Sequence, residues 1–164
     1  MAISMVRIDD RLIHGQVAMK WSKTLNASVI VVPDDTAAAE PLQKTALKAA
    51  TPIGVRSAIV TVADGAALLL GPKIKNDRVF IVARAPGAVL GLINAGVEIK
   101  KVIIGNIRME EGKKKITQYA AVNAEQWNQL KELDAKGVEL VAQWLPGEDS
   151  KNINEILKKD FNSL

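Results

Sequence analysis

The chain is predicted to form an α/β fold of three layers, in which a mostly parallel central sheet of six to seven strands is flanked by helices. Short runs rich in Val and Ile alternate with segments of helical periodicity along the chain, which is the pattern of βα units. The 164 residues are 48% hydrophobic, enough to bury one substantial core, and no linker or internal repeat interrupts them. We therefore expect one domain over residues 1–164, with an antiparallel strand allowed at one edge of the sheet.

Six segments are predicted as strands. Four are short and almost wholly apolar, as expected for strands buried on both faces: residues 3–8, 28–32, 78–82 and 101–104. Residues 55–62 have similar composition. Residues 138–144 alternate, with apolar side chains at every second position, which favours an edge strand with one solvated face.

The segments between the strands are predicted as helices. In residues 15–25 the apolar side chains Val17, Trp21 and Leu25 recur every four positions and form one stripe. Further helices are expected at residues 41–50 with Pro41 in the first turn, 63–70, 86–95, 125–135, and 152–159 with Ser150 or Asn152 as cap. Three of them end at a glycine: Gly71, Gly96 and Gly137. Residues 108–115 are polar and contain Gly112, so they are predicted as an exposed loop or an irregular hairpin.

Composition excludes several classes of function. The absence of cysteine excludes disulfide and thiol chemistry, and one histidine without cysteine argues against a structural zinc site. No phosphate-loop or dinucleotide-binding motif is present, so we expect no nucleotide cofactor. Aromatic residues make up only 4% and the lysines are scattered, which disfavours nucleic acid as a partner. No apolar stretch approaches the roughly 20 residues that span a bilayer, and no signal peptide is visible, so a cytoplasmic protein is expected.

The best lead to function is His14, the only histidine of the chain. It lies in a predicted loop after the first strand, where imidazole can accept a phosphoryl group on nitrogen and release it again. Gly15 and Gln16 open the following helix, and their backbone N–H groups would favour a phosphate. The guanidinium of Arg11 could bind oxygens of a transferring phosphoryl group. His14 and Arg11 are therefore candidate catalytic residues, with Arg11, Gly15 and Gln16 as phosphate ligands.

The neighbouring carboxylates Asp9 and Asp10 could orient the imidazole or hold Arg11 in place, and the sequence does not separate these roles. We favour Asp10 as the catalytic carboxylate. If the strand keeps Ile8 inward, its alternation turns Asp9 outward, whereas Asp10 begins the loop.

Ligands of open α/β sheets bind outside the carboxyl ends of the strands, so the loops after four predicted strands are expected to form one cleft with His14. From these loops Arg84 is a further candidate phosphate ligand. Secondary candidates, besides Asp9, are Asp34, Asp35, Gly105 and Asn106. Simpler interpretations stand beside these: Asp34 and Asp35 as a helix cap, Gly105 and Asn106 as a turn, and Arg11 with the aspartates as an ion-pair cluster.

The run over residues 7–17, Arg-Ile-Asp-Asp-Arg-Leu-Ile-His-Gly-Gln-Val, resembles the signature of the enzyme IIB component of the mannose/fructose/sorbose family of the bacterial phosphoenolpyruvate-dependent sugar phosphotransferase system. The resemblance extends over nearly the whole chain, through residues 32–35, 96–97, 103–108 and 137–140. It implies an α/β fold in which His14 takes a phosphoryl group from a histidine of a IIA protein, onto Nδ1. The group then passes to a sugar while the membrane components IIC and IID move that sugar inward. Phosphoryl transfer between histidines requires neither a cofactor nor a metal, so none is expected.

The resemblance further implies a location at the inner face of the membrane through IIC and IID. Because the sequence shows no second histidine domain, the IIA protein is expected on a separate chain. Arg11 would contact the phosphate. The particular sugar and the homo-oligomeric state remain open. The charge of +4 favours an acidic IIA surface or the inner leaflet as a contact. The alternative from another class is a non-enzymatic binding module that holds a phosphorylated ligand in the same cleft.

Overall fold

A computed structural model describes residues 2–164. The strands are β1 (Ala2–Asp9), β2 (Val29–Pro33), β3 (Arg56–Val60), β4 (Arg78–Ala83), β5 (Lys101–Asn106), β6 (Lys114–Lys115), β7 (Ala121–Val122), β8 (Glu139–Ala142) and β9 (Lys151–Asn152). The helices are α1 (Gly15–Leu25), α2 (Asp35–Ala39), α3 (Pro41–Ala49), α4 (Val62–Leu70), α5 (Pro86–Asn94) and α6 (Ala124–Ala135). Two 3₁₀ turns, Ile156–Lys158 and Phe161–Ser163, follow.

Within residues 2–164 the central sheet has seven strands in the order β3-β2-β4-β1-β5-β8-β9. All neighbours pair in parallel except β8 and β9, which pair antiparallel. Strands β6 and β7 form a separate antiparallel pair, so the polar segment before Ile116 is part of an irregular hairpin, as predicted. Strand β1 therefore lies between β4 and β5, in the interior of the sheet.

Helices cover both faces of the sheet and make the predicted three layers. On one face, Val17 and Trp21 of α1 and Leu47 of α3 pack with alternate strand residues such as Ile30 and Phe80. On the other face α4, α5 and α6 pack against the remaining strand positions. Because both faces are covered, β2 and the inner part of β4 are buried at every position and read as continuous apolar runs rather than as an alternation.

Two expectations about elements are wrong, and one short helix was not predicted. The tail was expected to be a helix over residues 152–159, but it forms β9 and 3₁₀ turns instead. Its apolar side chains Ile153 and Leu157 are 0% and 3% exposed, and the side chain of Asn154 accepts from the backbone N–H of Leu140 and donates to the carbonyl of Val138. These contacts with a distant strand outweigh local helix propensity.

The antiparallel edge strand exists, but it is β9 and not the segment at residues 138–144. Strand β8 is second from that edge, paired with β5 on one side and β9 on the other.

The short helix α2 was not predicted as a helix. It begins after Asp34, whose side chain accepts from the N–H of Ala37, so the capping interpretation of Asp34 is confirmed.

Candidate functional site

The loop that carries His14 leaves the carboxyl end of β1 at the topological switch point of the sheet, where the connections from two neighbouring strands lead to opposite sides. From β1 the chain passes through α1 to β2 on one side, and from β4 it returns past β1 to β5 on the other. Crevices at such switch points are the usual ligand sites of open α/β sheets. The fold therefore places His14 where a ligand would bind.

Two apolar side chains anchor this loop. Leu12 and Ile13 are only 3% and 2% exposed, and they pack in the layer of α1. Leu12 has a φ of 60° and Gly15 a φ of 40°, so the chain turns sharply on either side of His14. His14 is the N-cap residue of α1, and its side chain makes no capping hydrogen bond. The imidazole is thus held at the surface, 24% exposed, by a loop whose neighbouring side chains are buried.

The imidazole is oriented by Asp9. Nε2 of His14 lies 3.2 Å from Oδ2 of Asp9, whose side chain is 1% exposed. The other carboxylate oxygen accepts from the backbone N–H of Arg11 at 3.1 Å and from its Nε at 3.4 Å. In the described residues Nδ1 of His14 has no hydrogen-bond partner. A carboxylate can only accept, so in the neutral imidazole the proton lies on Nε2 and the lone pair on Nδ1.

The expectation that Asp10 orients the imidazole is therefore wrong, because Asp9 is the carboxylate in contact with it. The alternation of β1 turns Asp9 away from the layer of Ile8, toward a face that was expected to be open to solvent. In this sheet the opposite face is covered as well, and Asp9 is 0% exposed as a residue.

Asp10 instead joins the loop to the end of β5. It accepts from Nδ2 of Asn106 at 2.7 Å and from the backbone N–H and Nε of Arg108 at 2.8 and 3.1 Å. Burial raises the pKa of Asp10, but the hydrogen bonds from Arg108 and Asn106 outweigh it and hold the pKa below its usual value. The backbone N–H of Asp10 also donates to the carbonyl of Asn106. Asp10 and Asn106 thus hold the loop of His14 against the end of β5.

Arg7 is a site residue that sequence reasoning missed. It lies in β1, 1% exposed, with Nη2 3.6 Å from Oδ2 of Asp9 and Nη1 donating to the carbonyl of Gln143. The rings of Trp21 and Trp144 flank its guanidinium at 5.8 and 5.9 Å. Burial lowers the pKa of Arg7 to about 10, with the charge of Asp9 opposing that shift, so Arg7 stays cationic at neutral pH. The signal in the sequence that could have identified Arg7 is the presence of a charged residue inside an apolar strand.

Gly105 makes room for that guanidinium. A Cβ at this position would lie 2.2 Å from Nη2 and 2.4 Å from Cζ of Arg7. The glycine is therefore required by the close approach of a buried side chain rather than by a turn.

Arg84 is fully engaged with protein groups. Its Nε and Nη2 donate to the two carboxylate oxygens of Asp34, each at 3.1 Å, and Nη1 donates to the carbonyl of Asp10 at 3.3 Å. It links the loop after β4 to the loops after β2 and β1. Its expected role as a phosphate ligand stays a prediction.

Asp35 accepts from the N–H of Val62 and contacts the start of α4 rather than His14.

The structure therefore brings the four predicted loops together, through the contacts of Asp10 with the end of β5 and of Arg84 with Asp34. Gly15 and Gln16 are exposed at the start of α1, where the first backbone N–H groups lack intrahelical acceptors. The side chain of Arg11 is 38% exposed, and within its guanidinium group Nε alone contacts Asp9. An anion beside His14 would meet a helix N-terminus and one accessible guanidinium.

In residues 2–164 no helix is long and apolar enough to cross a membrane. The same part of the chain contains no cluster of three or more carboxylate or imidazole groups placed to hold a metal ion.

Comparison with known proteins gives the family. The fold is that of IIB components of sugar phosphotransferase systems. The model of the family described as "PTS system sorbose subfamily IIB component" matches residues 3–164, and the chain belongs to that family.

Individual relatives agree with this assignment. The sorbose-specific EIIB component of Lacticaseibacillus casei is 34% identical over 153 residues, which are 93% of each chain. The mannose-specific EIIAB component of Escherichia coli is 34% identical over 159 residues, 97% of this chain and 49% of the relative, so the chain spans about half the length of that protein. The crystal structure of the IIBSor domain of the sorbose permease from Klebsiella pneumoniae has a TM-score of 0.92 at 33% identity and covers 98% of this chain and 99% of that chain. Relatives named for mannose and for sorbose are equally similar, so identity does not select the sugar.

Proposed function

We propose that this IIB component accepts a phosphoryl group from a phosphohistidine of a IIA protein onto Nδ1 of His14 and then transfers it to a sugar. The observation that carries the proposal is the hydrogen bond between Nε2 of His14 and Asp9 at 3.2 Å, in a loop beside a helix N-terminus. A buried acceptor at Nε2 leaves the Nδ1 lone pair for attack on phosphorus.

In the first step Nδ1 forms the new N–P bond while the N–P bond of the donor breaks, and the donor nitrogen leaves with the electron pair. The phosphorylated ring keeps its proton on Nε2 and carries more positive charge there, which the Asp9 carboxylate stabilises. Arg11 and the first amides of α1 offset charge on the transferring phosphoryl oxygens. In the second step a sugar hydroxyl oxygen forms the new O–P bond while the N–P bond breaks; Nδ1 regains its electron pair, and the hydroxyl proton is released to solvent.

The proposed partners are those of the family to which the chain belongs. The donor is a IIA phosphocarrier, and the acceptor sugar is presented by membrane components IIC and IID, which would bring this chain to the inner face of the membrane. The two imidazoles must align through phosphorus, so the docked pair of proteins completes the site.

The test is transfer of labelled phosphate from phosphoenolpyruvate through enzyme I, the histidine phosphocarrier protein and a cognate IIA, with wild type and His14→Ala side by side. Acid-labile label on wild type alone supports the proposal, and because the chain has one histidine no other imidazole can carry it. Phosphorus NMR then distinguishes Nδ1 from Nε2 phosphohistidine. Absence of label on wild type with an active IIA would overturn the proposal and favour a binding module. In a binding module, His14→Gln would weaken the binding of the phosphorylated ligand without abolishing it.

A further inference from the structure

A stack of three side chains from separate segments ends at Arg11. The Arg11 guanidinium carbon lies 4.7 Å from the centre of the Trp144 ring, and the Tyr119 ring lies 4.6 Å from that ring at an angle of 31°. Trp144 follows β8 and is half-buried, and Tyr119 precedes β7 and is 43% exposed. Trp144 therefore contacts the loop of His14 although it lies more than 100 residues away in sequence, and Tyr119 packs on its ring.

The position of Trp144 is itself fixed. Nε1 of Trp21 in α1 donates to the carbonyl of Trp144 at 3.0 Å, and the Trp144 ring also lies 5.9 Å from the buried guanidinium of Arg7. Trp144 thus contacts both arginines that surround Asp9.

The ring of Trp144 forms a platform for Arg11. Arg11 depends on this platform because its ion pair with Asp9 is weak. Its only ion pair in the described residues is a 3.4 Å contact from Nε to Asp9, and Nη1 and Nη2 have no hydrogen-bond partner there. A cation over an indole face is attracted by the ring quadrupole, and this attraction leaves the N–H donors free because it uses the flat face of the guanidinium.

We propose that Trp144 is a positioning residue, which holds Arg11 by a cation–π contact so that Nη1 and Nη2 are available to phosphoryl oxygens. The kinetic part of this inference rests on the function proposed above; the contact itself does not.

The kinetic test is a double-mutant cycle with a saturating phosphorylated IIA as donor. We expect Trp144→Leu to lower the single-turnover rate constant of transfer about 3- to 30-fold, and Trp144→Phe, which keeps an aromatic face, to remain within about threefold of wild type. In an Arg11→Ala background Trp144→Leu should change the rate less than about twofold. Equal losses in both backgrounds would show a merely structural role and overturn the inference.

A second measurement uses the unphosphorylated protein. Ring current from Trp144 should shift the Nε–Hε resonance of Arg11 upfield, and the shift should vanish in Trp144→Leu while thermal unfolding reports whether that variant is folded. An unshifted resonance in wild type would refute the platform. If the shift is present and wild type takes no phosphate, the platform stands and the proposed function fails, so the two failures are distinguishable.

Discussion

Asp9 and Asp10 are adjacent carboxylates with different partners. Asp9 contacts the imidazole of His14 and the backbone N–H of Arg11, whereas Asp10 contacts Asn106 and Arg108. One side chain thus acts on the reacting ring and the other on the loop that carries it. Adjacent positions allow matched variants to separate the two roles.

We expect Asp9→Asn to slow phosphoryl transfer to His14 by about 100-fold or more. The amide can donate to Nε2, which would move the imidazole proton to Nδ1 and remove the attacking lone pair. Rapid-quench measurement of transfer from phosphorylated IIA gives the rate constant. The matched Asp10→Asn variant should lose less than about tenfold; similar losses in both variants would contradict the tautomer argument.

Asp10 gives a prediction about pH and stability. Its pKa in the folded protein lies below the ordinary value of 3.8, so the stabilisation by its hydrogen bonds is complete above that value and is lost as pH falls through the folded pKa. The difference in unfolding free energy between wild type and Asp10→Asn should therefore be constant between about pH 5 and 7 and shrink below about pH 3.8.

Urea unfolding across that range provides the measurement. Asp149→Asn is the control, since Asp149 is exposed and forms no ion pair with the described residues. A difference for Asp10→Asn that persists unchanged at pH 2 would show that its carboxylate charge contributes nothing.

At the level of elements, the end of β5 supports the loop that follows β1. Gly105 admits the guanidinium of Arg7, the carbonyl and side chain of Asn106 bond to Asp10, and Arg108 adds two further hydrogen bonds. The neighbouring strand therefore determines where His14 can lie.

Gly105→Ala should destabilise the fold by about 1 to 3 kcal/mol, because the added methyl group overlaps the buried guanidinium of Arg7. Displacement of Arg7 also disturbs Asp9, so transfer to His14 should slow. Denaturant unfolding and the single-turnover rate measure the two effects.

Gly87→Ala is the matched control in α5. Its Cβ would meet only the mobile end of Gln129, at 3.0 Å, and alanine favours a helix, so stability should stay constant or rise by up to about 1 kcal/mol. If both glycine variants behaved alike, the close approach at Gly105 would not be the cause.

The whole molecule carries a net charge of +4, which bears on how it meets a partner. If the IIA surface is acidic, attraction raises the rate of encounter, and salt screens that attraction. Raising ionic strength from about 20 to 200 mM should lower the second-order rate constant of transfer from phosphorylated IIA severalfold, and leave the saturated rate unchanged. A second-order rate constant independent of salt would exclude electrostatic steering.

Much of the fold could be predicted because its signals are local. Central strands covered on both faces must be continuously apolar, helices must carry an apolar stripe, and Gly96 and Gly137 have φ of 105° and 82° just after α5 and α6, where side chains are disfavoured. The tail and the edge strand were mispredicted because Ile153 and Asn154 take their conformation from partners on β8.

The same distinction between local signals and long-range contacts applies to the candidate site. The position of His14 between a strand and a helix start, with Arg11 in the same loop, could be predicted because these segments are consecutive in the chain. Three contacts are visible only in three dimensions: Asp9 rather than Asp10 meets the imidazole, Arg7 is buried against Gly105, and Trp144 lies against Arg11. Those contacts depend on which strands are neighbours and on both sheet faces being covered, and these arrangements join residues far apart in the chain.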